Sequence, residues 1–164
     1  MKSHSGRSTD DDIESVVNRY SNLLFKLCFT MLCSNADAED AVSDTFVKYI
    51  TKAPCFQDEE HTKAWLIRVA ANTCNDIHRF RKRHSHINLD DLHNYSKTEE
   101  NSGILEAVMQ LPAKYKTVIH LFYIEGYRTE EIAGILSLSP SAVRKRLQYA
   151  RGKLNFEYEK EKLQ

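Results

Sequence analysis

The sequence predicts an all-α fold: two small helical domains joined by a flexible linker, the C-terminal one a helix-turn-helix. Three observations point to it. Apolar residues recur at three- and four-residue steps through most of the chain, strand-like alternation is absent, and one polar, aperiodic stretch separates two periodic halves. With 164 residues and 41% hydrophobic content, the chain can build two compact cores. Its apolar runs are short and broken by charge, and the opening MKSHSGRSTDDD holds no signal core. Neither a membrane span nor secretion is therefore expected, and the location expected is cytoplasmic.

Residues 1–11 read as a disordered N-terminus and 12–83 as the first domain. From Asp12, the residues Ile13, Val16, Val17, Tyr20, Leu23, Leu24, Leu27, Met31 and Leu32 line one face of a helix over about 11–33. Asp37 then caps a second helix, with Ala38, Ala41, Val42, Thr45, Tyr49 and Ile50 on its apolar side and Pro54 ending it. After the loop PCFQDEEH, a third helix spans about 60–82, with Ala64, Leu66, Val69, Ala70, Thr73, Ile77 and Phe80 inward. Residues 84–101 lose the period and are rich in Asn, Asp, Ser and His, which makes them the linker. The second domain covers 102–158, with 159–164 a C-terminal tail. In it Ile104, Leu105, Val108 and Met109 mark a short helix, Pro112 opens another that Gly126 ends, and two more flank a turn at Ser137 to Ser139.

That last pair carries the strongest functional signal. TEEIAGILSLSPSAVRKRLQYARGKL has a short helix with Ile132, Ala133 and Leu136 inward, a tight turn, and then Ser139 as cap with Pro140 at the first helical position. Val143, Leu147, Ala150 and Leu154 must face the core, which turns Ser141, Lys145, Gln148 and Tyr149 outward with Arg144 at the flank. Arg and Lys can donate to guanine edges and Gln to adenine, while Arg146, Arg151 and Lys153 can neutralise phosphates. The helix opposes an apolar face to a basic one without a single acid between 137 and 154. These features favour duplex DNA as its partner over a merely solvated basic surface.

Net charge conceals this segregation: 23 Lys and Arg balance 23 Asp and Glu. Residues 36–60 carry an acidic surplus, HRFRKRHSH at 78–86 is wholly basic, and acids return at 90–100. Two basic surfaces and one acidic surface predict two anionic contacts and a separate protein contact. The four cysteines, Cys28, Cys33, Cys55 and Cys74, form no CxxC pair and read as reduced, buried thiols.

DAEDAVSDTFVKYI, KAWLIRVAANTCNDIHRFRKR and LPAKYKTVIHLFYIEGYRTEEIAGILSLSPSAVRKRLQYARGKL, in that order, resemble bacterial RNA polymerase sigma factors of the small extracytoplasmic-function class over about 15–155. The resemblance implies an alternative sigma factor: region two binds core RNA polymerase and melts the minus-ten element, and region four reads the minus-35 element as duplex. By position it implies Glu39, Asp40, Ser43, Asp44 and Lys48 for polymerase binding. Lys63, Arg68, Asn72, Arg79, Lys82 and Arg83 are implied for minus-ten DNA, and Ser141, Arg144, Lys145, Arg146, Gln148, Tyr149 and Arg151 for minus-35 DNA. Core RNA polymerase and promoter DNA are the partners implied, an anti-sigma factor is a further one, and no cofactor, metal or catalytic residue is expected. Trp65 reads as core, Asp76 as a local partner of Arg79, and Phe56 and His61 as groups able to stack on a flipped base. Ser137, Arg128 and Ser43 depart from the family's usual residues; Thr129 can take over as the helix cap. The competing reading is a stand-alone helix-turn-helix regulator that never meets polymerase. An enzyme would have to rest on Cys74 with His78, or on His84, His86 and His93, and neither set has the spacing of a metal site.

Overall fold

Seven α-helices in two groups make up the computed structural model, which describes residues 10–84 and 102–162, with side-chain surroundings given for 12–84 and 106–155. The expected linker, His84 apart, lies outside the described residues, as do His86 and His93 and residues 1–9. In the first group, α1 (Asp10–Leu32), α2 (Asn35–Lys52) and α3 (Glu59–Arg83) pack on one another. Leu24, Leu27, Met31, Leu66 and Ile67 are fully buried between them. Their three- and four-residue spacing sets one apolar stripe per helix, and each stripe finds the other two.

The helix ends refine the expected boundaries. Ser34, not Asp37, caps α2: its hydroxyl accepts from the Asp37 backbone N–H at 3.3 Å. Asp37 sits in the first turn and pairs instead with Arg81 of α3. Asp58 caps α3 by accepting from the His61 backbone N–H at 2.9 Å, and these hydrogen bonds hold its carboxyl below the usual range. Phe80 was expected inward, yet it is 61% exposed and stacks on His84 at the end of α3 instead of on a neighbouring helix. Ile50 is likewise exposed.

The second group holds α4 (Ser102–Gln110), α5 (Ala113–Ile119) running into a π-helical turn at His120–Ile124, α6 (Thr129–Leu136) and α7 (Pro140–Lys162). Gly126 takes φ 74° just after the π turn, which is where an ending was expected. Thr129 is the first helical residue of α6, not its cap; Glu131 closes the end by accepting from the Arg128 backbone N–H at 2.7 Å. Val143, Leu147 and Ala150 of α7 are buried against α5 and α6, and α7 continues to Lys162 past the domain end expected at 158.

Ser137 holds the turn in the left-handed conformation, φ 55° and ψ 45°, where a Cβ is unfavourable. Ser137→Gly should therefore raise the stability of the second domain by a few tenths to about 1 kcal/mol, once the larger entropy of the unfolded glycine is counted. Thermal melting of the two proteins at matched concentration measures it, and an unchanged or lower midpoint would show the turn unstrained.

The two groups pack against each other through α1 and α3 on one side and α5 and α6 on the other. Lys116 is 3% exposed and donates from Nζ to the Met31 carbonyl at 3.0 Å, satisfying an acceptor at the carbonyl end of α1 that has no partner within the helix. His78 Nε2 meets the same carbonyl at 2.7 Å. Thr30 and His120 Nδ1 lie 3.2 Å apart across the junction.

Burial pushes His120 down to about 4, so the ring is neutral in the fold. A histidine whose folded pKa lies below its unfolded value near 6.5 contributes stability above that value and loses it as pH falls toward the folded one. Stability should thus decline between about pH 6.5 and 4 by up to about 3 kcal/mol. Denaturant titrations of wild type and His120→Gln across that range read the difference.

Candidate nucleic-acid interface

α7 presents the clearest surface. Pro140 starts it, the Ser139 hydroxyl accepts from the Ala142 backbone N–H at 3.1 Å, and burial of Val143, Leu147 and Ala150 fixes its rotation. Ser141, Arg144, Lys145, Gln148 and Tyr149 are all exposed on the opposite side, and Arg146 is half-buried. Arg144 lies 3.9 Å from Glu130 of α6, a solvent-exposed pair that competes weakly with any phosphate or base. Tyr149 stacks on Tyr115 at 4.4 Å between ring centroids, which holds it against α5. Arg151 turns toward the π-helical turn: its Nε donates to Tyr123 Oη at 2.6 Å and its guanidinium covers the Phe122 and Tyr123 rings. Among the seven side chains expected here, Arg151 is thus drawn away from the outward face toward the turn.

On α3 the expected DNA contacts divide. Arg68, Asn72, Arg79 and Arg83 fall along one helical stripe and are all exposed. Arg79 leans on Asp76 at 3.3 Å, the local pair expected. Arg68, however, reaches into the second domain, where Nε donates to the Ile135 carbonyl at 2.6 Å and Nη2 to the Gly134 carbonyl at 2.5 Å. It thereby satisfies the carbonyl end of α6, the first helix of the helix-turn-helix. Lys63 points the same way, its Nζ 5.1 Å from the Tyr127 ring centre. Two of the six cations and amides assigned to one DNA element are therefore engaged by the other domain, while Asn72, Lys82 and Arg83 stay exposed.

Of the two stacking groups expected around the start of α3, Phe56 is drawn into the core while His61 remains exposed. Phe56 is half-buried in an aromatic cluster with Tyr49 and Trp65, at 6.4 and 5.8 Å between centroids, and Trp65 belongs to that cluster as a partly buried core residue. His61 Nδ1 lies 2.7 Å from the capping carboxylate of Asp58. Both residues are committed to holding the start of α3.

On α2, Glu39, Asp40, Ser43 and Asp44 are exposed, while Val47 and Ile50 continue the surface as exposed apolar side chains. Lys48 is half-buried and donates to Thr73 Oγ1 at 3.0 Å, tying α2 to α3 rather than joining that surface.

Cys28 and Cys74 are both fully buried and hydrogen-bonded to each other, and His78 is occupied at the Met31 carbonyl. All four cysteines are free thiols; two of them are buried as expected, while Cys33 is half-buried and Cys55 exposed. Sequence reasoning missed the junction residues Lys116, His120 and Cys33. Lys116 and His120 are four apart inside the apolar run AKYKTVIHLFYI. Such a polar pair on a helical face otherwise apolar is the signal that could have found them.

These features define a two-domain, all-helical protein that presents the basic outward side of a helix-turn-helix. Residues 16–84 match the family model Sigma-70 region 2 and residues 102–154 match Sigma-70, region 4, so the chain belongs to the sigma-70 family, in its extracytoplasmic-function class. It is similar to the extracytoplasmic-function RNA polymerase sigma factor SigW of Bacillus subtilis, 27% identical with 88% of each chain covered. It is also similar to the RNA polymerase sigma factor SigZ of the same organism, 31% identical over 71% of this chain and 69% of that one. In fold it resembles the sigma factor RpoE of Bartonella quintana, solved in complex with the anti-sigma factor NepR. That match has a TM-score of 0.72 and 22% identity, covering 91% of this chain and 98% of the other. It also resembles CnrH in complex with the cytosolic domain of CnrY, with a TM-score of 0.67 and 24% identity over 93% and 90% of the two chains.

Proposed function

We propose that this chain, an alternative sigma factor that directs RNA polymerase to promoters, divides the work among three faces. The exposed acids of α2, Glu39, Asp40 and Asp44 with Ser43, dock on core polymerase. The α3 stripe, Asn72 with Arg79, Lys82 and Arg83, engages and melts the minus-ten element. The α7 face, Ser141, Arg144, Lys145 and Gln148, reads the minus-35 element as duplex, with Arg146, Tyr149 and Arg151 at its margins. The observation that carries the reading is the rotation of α7: every residue with a base-reading side chain is exposed while Val143, Leu147 and Ala150 are buried.

The compact arrangement cannot serve both DNA elements at once. Their names place them about 25 base pairs apart, roughly 85 Å at 3.4 Å per step, whereas a compact body of this length has a radius of gyration of only about 15 Å. Promoter binding therefore requires the domains to separate, releasing Lys63 and Arg68 for DNA. No described helix is long and apolar enough to cross a membrane, and the protein acts where polymerase does, in the cytoplasm. An anti-sigma factor would act by keeping the domains together.

Transcription by purified core polymerase on a genomic library, with and without this protein, tests the function. Transcript starts that appear only with the protein and share two elements upstream support it. Duplex binding without any change in starts would favour the stand-alone regulator.

A further inference from the structure

Cys33 ends α1 at the junction between the domains. Its backbone takes φ 53°, and its N–H bonds the Phe29 carbonyl at 2.8 Å, which turns the side chain under the second domain. There its Sγ lies 3.4 Å from Lys116 Nζ and 3.8 Å from Met109 Sδ. The thiol is half-buried, so a small oxidant can reach it. The amine opposite is 3% exposed, so water is largely excluded from competing with it.

We propose that Cys33 and Lys116 are a peroxide-responsive modification site that joins the two domains through a sulfur–nitrogen bond. In the first step the thiol attacks hydrogen peroxide: the O–O bond breaks, an S–O bond forms, sulfur gives up two electrons and water leaves, giving a sulfenic acid. In the second the Lys116 nitrogen lone pair attacks that sulfur. The S–O bond breaks, the departing hydroxide takes a proton from the nitrogen and leaves as water, and a sulfenamide remains. The net change is the loss of two hydrogens from the protein and the reduction of one peroxide to two waters. A dithiol reductant reverses it: one thiol attacks the sulfur and releases the amine, and a second displaces Cys33 from the resulting mixed disulfide as the free thiol.

Burial favours the second step. Desolvation lowers the Lys116 pKa from its ordinary value, which raises the share of neutral, nucleophilic amine. Proximity does the rest, because the two atoms are already in contact and only the amine is dry enough to outcompete solvent. The other buried thiols have a different fate open to them. Cys28 and Cys74 face each other inside the first domain and could at most form a disulfide there, which leaves the domains free to part. A bond from Cys33 to Lys116 instead fixes α1 to α5 and holds the closed arrangement. That consequence rests on the sigma factor reading, since it matters only if the domains must separate on a promoter.

The test uses the full-length protein exposed to hydrogen peroxide, its free thiols then blocked, followed by digestion without reduction and mass mapping. The peptides bearing Cys33 and Lys116 should appear joined, two hydrogens lighter than their sum, and dithiothreitol should part them. Cys33→Ser and Lys116→Arg should each abolish the joined species, the serine variant keeping the backbone demand at that position unchanged. A map in which Cys33 emerges as sulfinic acid, paired with another cysteine, or untouched while Met109 or Cys55 is oxidised overturns the proposal. In parallel, peroxide should strip wild type of promoter-directed transcription, with recovery on reduction, and spare Cys33→Ser; equal loss in both would also overturn the lock. The mapping needs no polymerase. A joined peptide in a protein that never stimulates transcription would sink the sigma reading and leave the bridge standing.

Discussion

Reversing two charges on α2, Asp40→Lys with Asp44→Lys, should abolish binding to core polymerase and all promoter-directed transcription. Both carboxylates are exposed on one side of the helix, while Ala38, Ala41, Thr45, Phe46 and Tyr49 bury the other. The reversal therefore leaves the packing face intact. The charged groups of α2 that do hold the fold are elsewhere: Asp37 is committed to Arg81 and Lys48 to Thr73, and neither is altered. Like charges brought against a basic partner cost several kcal/mol, far more than the few tenths at stake in the helix itself. Helicity and duplex affinity through α7 should be unchanged, which separates a lost interface from a lost fold. Co-purification with core polymerase at wild-type affinity would place the docking face somewhere other than α2.

The helices were legible because each buries a single stripe, and a stripe of period 3.6 is visible in one dimension. The outward face of α7 was legible for the same reason: once Val143, Leu147 and Ala150 must point inward, rotation is fixed and the exposed set follows. Caps were less so. Asp37 reads from the sequence as the cap of α2, whereas Ser34 three residues earlier holds that place; both residue types suit the role, and only the backbone path decides which oxygen meets which N–H. Phe80 was placed inward by its position on the α3 stripe, yet its ring stacks on His84 at the helix end and stays exposed, a local pairing that periodicity does not record. The junction between the domains was not legible at all. It is built from long-range contacts of Arg68 with Gly134 and Ile135, and of Lys116 with Met31, whose partners are 66 to 85 positions apart. No local pattern records such pairings. One basic residue assigned to DNA, Arg68, therefore serves in this arrangement as a donor to helix-end carbonyls.

Lys145→Ala should weaken binding to the preferred minus-35 duplex by about 1–3 kcal/mol, five- to 150-fold, while leaving affinity for random duplex nearly as before. Lys145 is exposed at the centre of the outward face, one turn from Ser141 and from Tyr149, so its ammonium lies where a base edge would be read. Arg144→Ala should act in the same direction but less strongly, because the exposed contact with Glu130 already competes for its guanidinium. Lys153→Ala provides the contrast. Its ammonium sits 5.6 Å from the Tyr149 ring centre, toward the far end of the face, where a phosphate contact carries no sequence information. That variant should lose affinity for specific and random DNA alike and flatten the dependence on salt by about one phosphate contact. Fluorescence anisotropy on both duplexes at several salt concentrations distinguishes the two patterns. If all three variants lose specific and random binding in equal measure, α7 grips the backbone without reading bases, and the discrimination between promoters must come from α3 or from the shape of the DNA.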